Sequence, residues 1–101
     1  DSTPRQIYLQ KLLSLSTLNY AHVPIATNLA GEKLSKQTLA EPISMRLPEH
    51  LFFDALSFLG QNPPQEIKNA TLSEMWRWAF ANWRITNVAK QRALFASKFT
   101  L

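Results

Sequence analysis

Three apolar stretches of the chain predict its helices. In the first and third, apolar residues recur at helical spacing, whereas the second, 51–59, leaves little polar surface and should be buried on more than one side. The first stretch follows Thr3 and Pro4, which suit a helix start because threonine can cap a helix and proline fits its first position. We therefore expect a helix from Pro4 to about Ser14. Its apolar positions are Tyr8, Leu9, Leu12 and Leu13, and Gln6, Gln10 and Lys11 face outward.

The second and third stretches carry clearer start signals. Pro48 and Glu49 place a proline and an acid in the first turn of a helix that should end near Gly60. Thr71 and Glu74 form a capping-box pattern that opens the third helix. Its apolar stripe predicts core packing, with Trp78 on another side as a candidate for RNA stacking. The stripe comprises Leu72, Met75, Trp76, Ala79, Phe80 and Trp83.

Between the first two helices, alternating residues from Tyr20 to Thr27 predict a strand. Pro24 cannot donate to a sheet hydrogen bond, so we expect it at an edge or where pairing ends. His22 has no nearby second histidine or carboxylate pair and is interpreted as structural. The stretch 38–47 shows no period, and 88–101 predicts a short helix followed by a tail.

Composition narrows the class of protein. The chain has 101 residues, 46% of them hydrophobic, which suits one domain with a core. The absence of cysteine excludes disulfides and thiolate metal sites, and the net charge of +4 is compatible with RNA or nucleotide binding. No signal peptide or membrane span is predicted, so the expected location is cytoplasmic. The first residue is Asp1 rather than Met, which suggests an excised fragment, although removal of the initiator Met or trimming would give the same start.

The most informative stretch is 28–37, where two lysines and a hydroxyl lie within four residues just after Gly31. Glycine permits backbone angles that other residues resist, so a tight turn is expected there. Such a turn would present Lys33, Ser35 and Lys36 on an exposed loop. Closely spaced ammonium groups on an exposed loop suit an anionic ligand, above all a polyphosphate.

The run Lys33-Leu34-Ser35-Lys36-Gln37 resembles the KMSKS signature loop of class I aminoacyl-tRNA synthetases. The order of the segments around this run is similar to that in the glutamyl branch of the class. Residues 3–8 lead into a leucine-rich helix, followed by residues 22–24 and then by residues 31–36. Gln37 is similar to the short glutamyl-Q tRNA(Asp) synthetases, whereas ordinary glutamyl-tRNA synthetases usually carry arginine there. The later stretches 55–61 and 82–84 also resemble the closing segment of that short family.

The resemblance implies a mainly α fold with a short strand or hairpin, from the C-terminal part of a class I synthetase. Residues 1–46 would end the Rossmann catalytic domain and carry the loop, and residues 47–101 would form a helical region that contacts the tRNA stem. The implied activity is an ATP-dependent ligase that activates glutamate as an adenylate and transfers it to the queuosine of tRNA(Asp). Lys36 and Lys33 are the implied catalytic residues, and Lys36, Ser35 and Lys33 the implied ATP-binding residues.

The implied co-substrate is ATP, with Mg²⁺, and no metal-binding residue is expected within the chain. The family's HIGH motif is absent from the 101 residues, and a zinc site, in members that have one, would lie before Asp1. We therefore expect the fragment alone to be inactive.

Two other hypotheses remain open from the sequence. The chain could come from an ordinary glutamyl-tRNA synthetase cut before its anticodon domain, or it could be a small basic helical module that binds RNA or a protein. A homodimer through an exposed edge of the strand 20–27 is a further hypothesis, because an unpaired edge exposes backbone donors and acceptors.

Overall fold

A computed structural model describes residues 2–34 and 46–96 of the chain. In chain order the elements are α1 (Thr3–Leu12), β1 (Ile25–Thr27), α2 (Pro48–Phe58), a 3₁₀ helix (Gln65–Asn69), α3 (Leu72–Asn82), a second 3₁₀ helix (Ile85–Asn87) and β2 (Ala93–Phe95). The three helices predicted from the apolar stretches are confirmed. The prediction of a mainly α fold is confirmed for the residues that the structure describes.

Local sequence signals explain where α2 and α3 begin and end. Pro48 occupies the first turn of α2, and Gly60 follows the helix at φ +75°, the left-handed conformation that glycine adopts most easily. The predicted capping box of α3 is present, because Thr71 Oγ1 accepts from the Glu74 amide at 3.2 Å and Glu74 Oε1 accepts from the Thr71 amide at 3.4 Å.

The core lies between α2 and α3. Phe53 and Leu56 of α2 are buried with Ala79 of α3, and Met75 is fully buried at 0% exposure. The buried Asp54 carboxylate on α2 forms an ion pair with Arg46, just ahead of the helix. This pair ties the chain that enters the helical region to α2.

A buried glutamine connects the segment after α2 with the segment after α3. Gln61 is 5% exposed, and its side chain accepts from the Arg84 amide at 2.8 Å and donates to the Arg84 carbonyl at 3.0 Å. Gly60 lies against the Asn87 backbone so closely that a Cβ added there would be 2.1 Å from the carbonyl oxygen. The connection after α2 and the chain after α3 are therefore packed together.

The sheet differs from the sequence prediction. Only Ile25–Thr27 of the predicted strand 20–27 is extended in a sheet, starting directly after Pro24. Its partner is Ala93–Phe95, in the segment predicted as a short helix and tail, so that prediction was wrong. The strands are parallel, with Ile25 opposite Ala93 and Thr27 opposite Phe95. A parallel pair needs a crossover connection, so the predicted hairpin is replaced by strands from distant parts of the chain.

The pairing of β1 with β2 occupies one edge of β1, whereas the sequence predicted an edge left unpaired or paired with another copy. The dimer hypothesis therefore concerns the remaining edge and stays a prediction. β1 and β2 lie on either side of the predicted domain boundary between residues 46 and 47, so their pairing joins the two predicted domains. That division stays a prediction as well.

Two apolar surfaces predicted to be buried are exposed. No residue of α1 is buried, and Leu12 is 63% exposed. Its side-chain cap is also missing, because Ser2 rather than Thr3 precedes the helix and makes no capping hydrogen bond. On α3 the predicted core stripe is split, since Trp76 is 50% and Phe80 80% exposed. The radius of gyration of 16.4 Å exceeds the roughly 13 Å of a compact domain of this length.

Candidate functional site: the lysine loop and two neighbouring surfaces

The lysine loop, residues 28–37, begins after β1 with a tight turn, as the sequence predicts. The Asn28 amide donates to the Glu32 carbonyl at 3.0 Å, and the Gly31 amide donates to the Asn28 carbonyl at 3.0 Å. Asn28 Oδ1 also accepts from the Glu32 amide at 2.9 Å. Gly31 has φ +83° with open space beside it, so its conformation, and not crowding, requires glycine.

Lys33 leaves this turn beside the sheet. Its backbone forms an isolated antiparallel bridge with Thr27, which is buried and belongs to β1. The Lys33 side chain is exposed, and no carboxylate of residues 2–34 or 46–96 forms an ion pair with it. The nearby Glu32 carboxylate accepts from Asn28 Nδ2 at 3.2 Å. Lys33 thus combines an anchored backbone with an ammonium group available to an anion.

The other two predicted site residues, Ser35 and Lys36, lie outside the described residues. Their predicted roles, and those of Lys33, stay predictions. The geometry of the turn that leads into them is the part of the predicted site that the structure describes.

A basic hollow of about 710 Å³ lies at the amino ends of β1 and β2. It is lined by His22, Val23, Ile25, Ala89, Lys90, Gln91 and Arg92. The Ile25 amide donates to the Arg92 carbonyl at 2.9 Å, which brings the segment 89–92 against the start of β1. Sequence reasoning missed this site, because no spacing pattern connects 22–25 with 89–92 and only the parallel pairing of β1 and β2 brings them together.

An apolar groove of about 480 Å³ runs between α2 and α3. Three of its aromatic rings are in contact: Phe52 meets Trp76 edge to face with centroids 4.6 Å apart, and Trp76 stacks on Phe80 at 5.6 Å. The exposed members of the predicted core stripe, Trp76, Phe80 and Trp83, all line this groove. Trp78, the residue proposed from the sequence for RNA stacking, does not line the groove and is half-buried.

Within the described ranges, no cluster of three or more histidine, aspartate or glutamate side chains could hold a metal ion. In the same ranges no helix is long and apolar enough to cross a membrane.

Comparison with known proteins finds relatives that share one name. No protein-family model matches the chain. The glutamyl-Q tRNA(Asp) synthetase of Aromatoleum aromaticum is 52% identical over 90 residues, which are 89% of this chain and 29% of that protein. The proteins of the same name from Thiobacillus denitrificans and Dechloromonas aromatica are 49% and 44% identical over 87 and 90 residues.

Any continuous stretch of 90 residues of this chain contains the lysine loop, so the similarity extends over it. The chain spans about 29% of the length of the first relatives it matches. This short span is consistent with the C-terminal fragment predicted from the sequence. Identities of 44–52% over almost nine tenths of the residues show that the chain belongs to the glutamyl-Q tRNA(Asp) synthetase family, as a segment shorter than a third of its relatives.

Proposed function

We propose that this chain supplies the phosphate-contacting loop of an ATP-dependent ligase that activates glutamate as an adenylate and transfers it to the queuosine of tRNA(Asp). One observation carries the proposal: the chain is 52% identical to a glutamyl-Q tRNA(Asp) synthetase over 90 residues, a span long enough to include the lysine loop. The exposed Lys33, anchored by its bridge to Thr27, supports it.

In the proposed reaction, a carboxylate oxygen of glutamate attacks the α-phosphate of ATP and pyrophosphate leaves. Negative charge grows on the leaving pyrophosphate in the transition state. A preorganised cation beside that charge stabilises the transition state more than the ground state. Lys36 is the proposed pyrophosphate contact, Lys33 assists or shapes the loop, and Ser35 or a loop amide donates a hydrogen bond to a phosphate oxygen.

The described residues fit the triphosphate of ATP, because the turn offers an ammonium group with no ion pair to the described carboxylates. They offer no cluster of ligands for Mg²⁺. Mg²⁺ usually keeps several waters and binds through substrate phosphates. Mg²⁺ would therefore reach the site on the phosphates of ATP, and the described residues would not hold it.

The first experiment tests Lys36→Ala in the full-length protein that carries this chain. Loss of one preorganised contact costs about 2.7–4 kcal/mol, or roughly 100- to 1000-fold in rate. We expect ATP–pyrophosphate exchange to fall by that factor with the fold retained. Lys11→Ala is the matched control, because Lys11 is an exposed lysine on α1. Exchange at the wild-type rate in Lys36→Ala would contradict the proposal.

The 101 residues contain no HIGH motif, so we also propose that the chain by itself does not form the adenylate. The same exchange assay on the 101-residue chain tests this point. Measurable exchange would overturn it, while leaving the assignment of Lys36 to its own test.

A further inference from the structure

The basic hollow at the amino ends of β1 and β2 has no part in the proposed adenylation chemistry. Lys33 follows the carboxyl end of β1, whereas His22 precedes its amino end and Arg92 precedes β2. The strand between them rises roughly 3.3 Å per residue. His22 and Arg92 therefore lie at the amino end of the sheet, whereas Lys33 lies beside the carboxyl end of β1.

The described residues of the hollow carry charge of one sign. Lys90 and Arg92 line it together with the imidazole of His22 and the amide of Gln91, and none of the lining residues within 2–34 and 46–96 is acidic. Both cations are exposed, and neither forms an ion pair with a carboxylate of residues 2–34 or 46–96. A concave surface lined by unpaired charge of one sign concentrates ligands of the opposite sign.

The backbone positions these groups. The Arg92 carbonyl accepts from the Ile25 amide at 2.9 Å, so the residue is fixed where its strand begins. His22 Nε2 lies 3.3 Å from Thr3 Oγ1, which ties the imidazole to the start of α1. Two cations and an imidazole are thus held around one opening by the β pair and by α1.

We propose that this hollow binds a phosphate group of an RNA strand. Arginine and lysine are the side chains that most often contact nucleic-acid phosphates. A volume of about 710 Å³ is much larger than one phosphate needs, and Val23, Ile25 and Ala89 give the same hollow an apolar wall. A free phosphate leaves this wall unused, whereas a nucleotide unit places its sugar or base against it. The inference rests on the proposed function for the identity of the RNA, a tRNA.

The test measures binding of fluorescein-labelled tRNA to the 101-residue chain by anisotropy over a range of NaCl concentrations. Lys90→Gln/Arg92→Gln is compared with Lys11→Gln/Arg77→Gln, which removes one exposed lysine and one exposed arginine elsewhere. We expect the first double variant to bind on the order of tenfold more weakly. The slope of log K against log salt should fall by about 1, because the hollow is assigned one phosphate and each phosphate contact contributes about 1.

The control variant should lose clearly less affinity and keep most of the salt slope. Equal losses in the two double variants would overturn the inference, because net charge alone would then explain binding. So would binding of inorganic phosphate to the hollow with tRNA affinity unchanged in Lys90→Gln/Arg92→Gln. Circular dichroism checks that each variant is folded, and the single variants Lys90→Gln and Arg92→Gln repeat the test if a double variant is not.

ATP–pyrophosphate exchange separates this inference from the proposed function, since it reports on adenylate formation without RNA. In the full-length protein, Lys90→Gln/Arg92→Gln should exchange at the wild-type rate while Lys36→Ala does not. A loss of exchange in Lys90→Gln/Arg92→Gln would overturn the assignment of the hollow to RNA. Failure of the Lys36 prediction would leave the anisotropy result standing.

Discussion

The helices α1 and α3 are of similar length, yet they are held by different means. α3 has a complete capping box and buries Met75 and Ala79 against α2. α1 has no side-chain cap and no buried residue, although Tyr8, Leu9, Leu12 and Leu13 repeat at helical spacing. An apolar stripe stabilises a helix only where a second surface covers it, because most helical stability in proteins comes from packing.

The same contrast separates the two regions of the chain. The helical unit, residues 47–88, has its core between α2 and α3, and its connections are packed around Gln61 and Gly60. In the N-terminal region, residues 2–34, only Pro24 and Thr27 are buried. Matched substitutions in the two regions should therefore have unequal effects on the free energy of unfolding.

The largest difference is expected between Met75→Ala and Leu12→Ala. Met75 is fully buried, and truncating such a side chain costs about 2–5 kcal/mol through lost burial and the cavity left behind. Leu12 is 63% exposed, so its truncation should change stability by no more than about 0.5 kcal/mol. Urea unfolding of both variants measures the difference. Equal losses would mean that α1 is covered in solution.

A second pair compares glycines with the same left-handed backbone, Gly60 at φ +75° and Gly31 at φ +83°. A residue with a side chain costs about 1–2 kcal/mol in this conformation. At Gly60 the added Cβ also meets the Asn87 carbonyl oxygen at 2.1 Å, whereas nothing lies within 4 Å at Gly31. We expect Gly60→Ala to lose more thermal stability than Gly31→Ala.

Melting curves followed by circular dichroism distinguish the two glycine variants. If Gly31→Ala proved the more harmful, then crowding after α2 would not be what makes Gly60 necessary. Gly31→Ala also serves as a probe of the lysine loop, since it changes the turn without removing a charge.

The smallest difference concerns helix capping. Thr71→Ala removes the Oγ1 that accepts from the Glu74 amide, and loss of such a cap costs about 0.5–2 kcal/mol. Ser2→Ala removes a hydroxyl that makes no capping hydrogen bond, so stability should stay the same. Chemical denaturation of the two variants provides the comparison, and a cost at Ser2 as large as at Thr71 would contradict it.

Local chemistry explains which parts of the fold were predictable. The limits of α2 and α3 follow from Pro48, Gly60 and the Thr71–Glu74 pair, which act within a few residues of themselves. The turn that opens the lysine loop is predictable from Gly31 in the same way. Such signals need no knowledge of distant parts of the chain.

What the sequence did not predict depends on distant residues. β2 is three residues long and has no recognisable period, so only its pairing with β1 defines it as a strand. The same pairing creates the basic hollow, since it brings Arg92 to Ile25. The exposure of Phe80 was missed for a related reason, because spacing shows that residues share a face but not whether anything covers that face.

The parallel pair has a consequence for the order of events during folding. Thr27 Oγ1 donates to the Leu94 carbonyl across 67 positions of sequence, with α2 and α3 inside the interval. Bringing residues this far apart together costs loop-closure entropy that contacts inside a helix do not have to overcome, although the cost grows only with the logarithm of length. A chain whose helices have already formed has less disordered length to close. We therefore expect β1 and β2 to pair after the helices have formed. This pairing would give a late kinetic phase of folding, detected only by probes placed near residues 27 and 94.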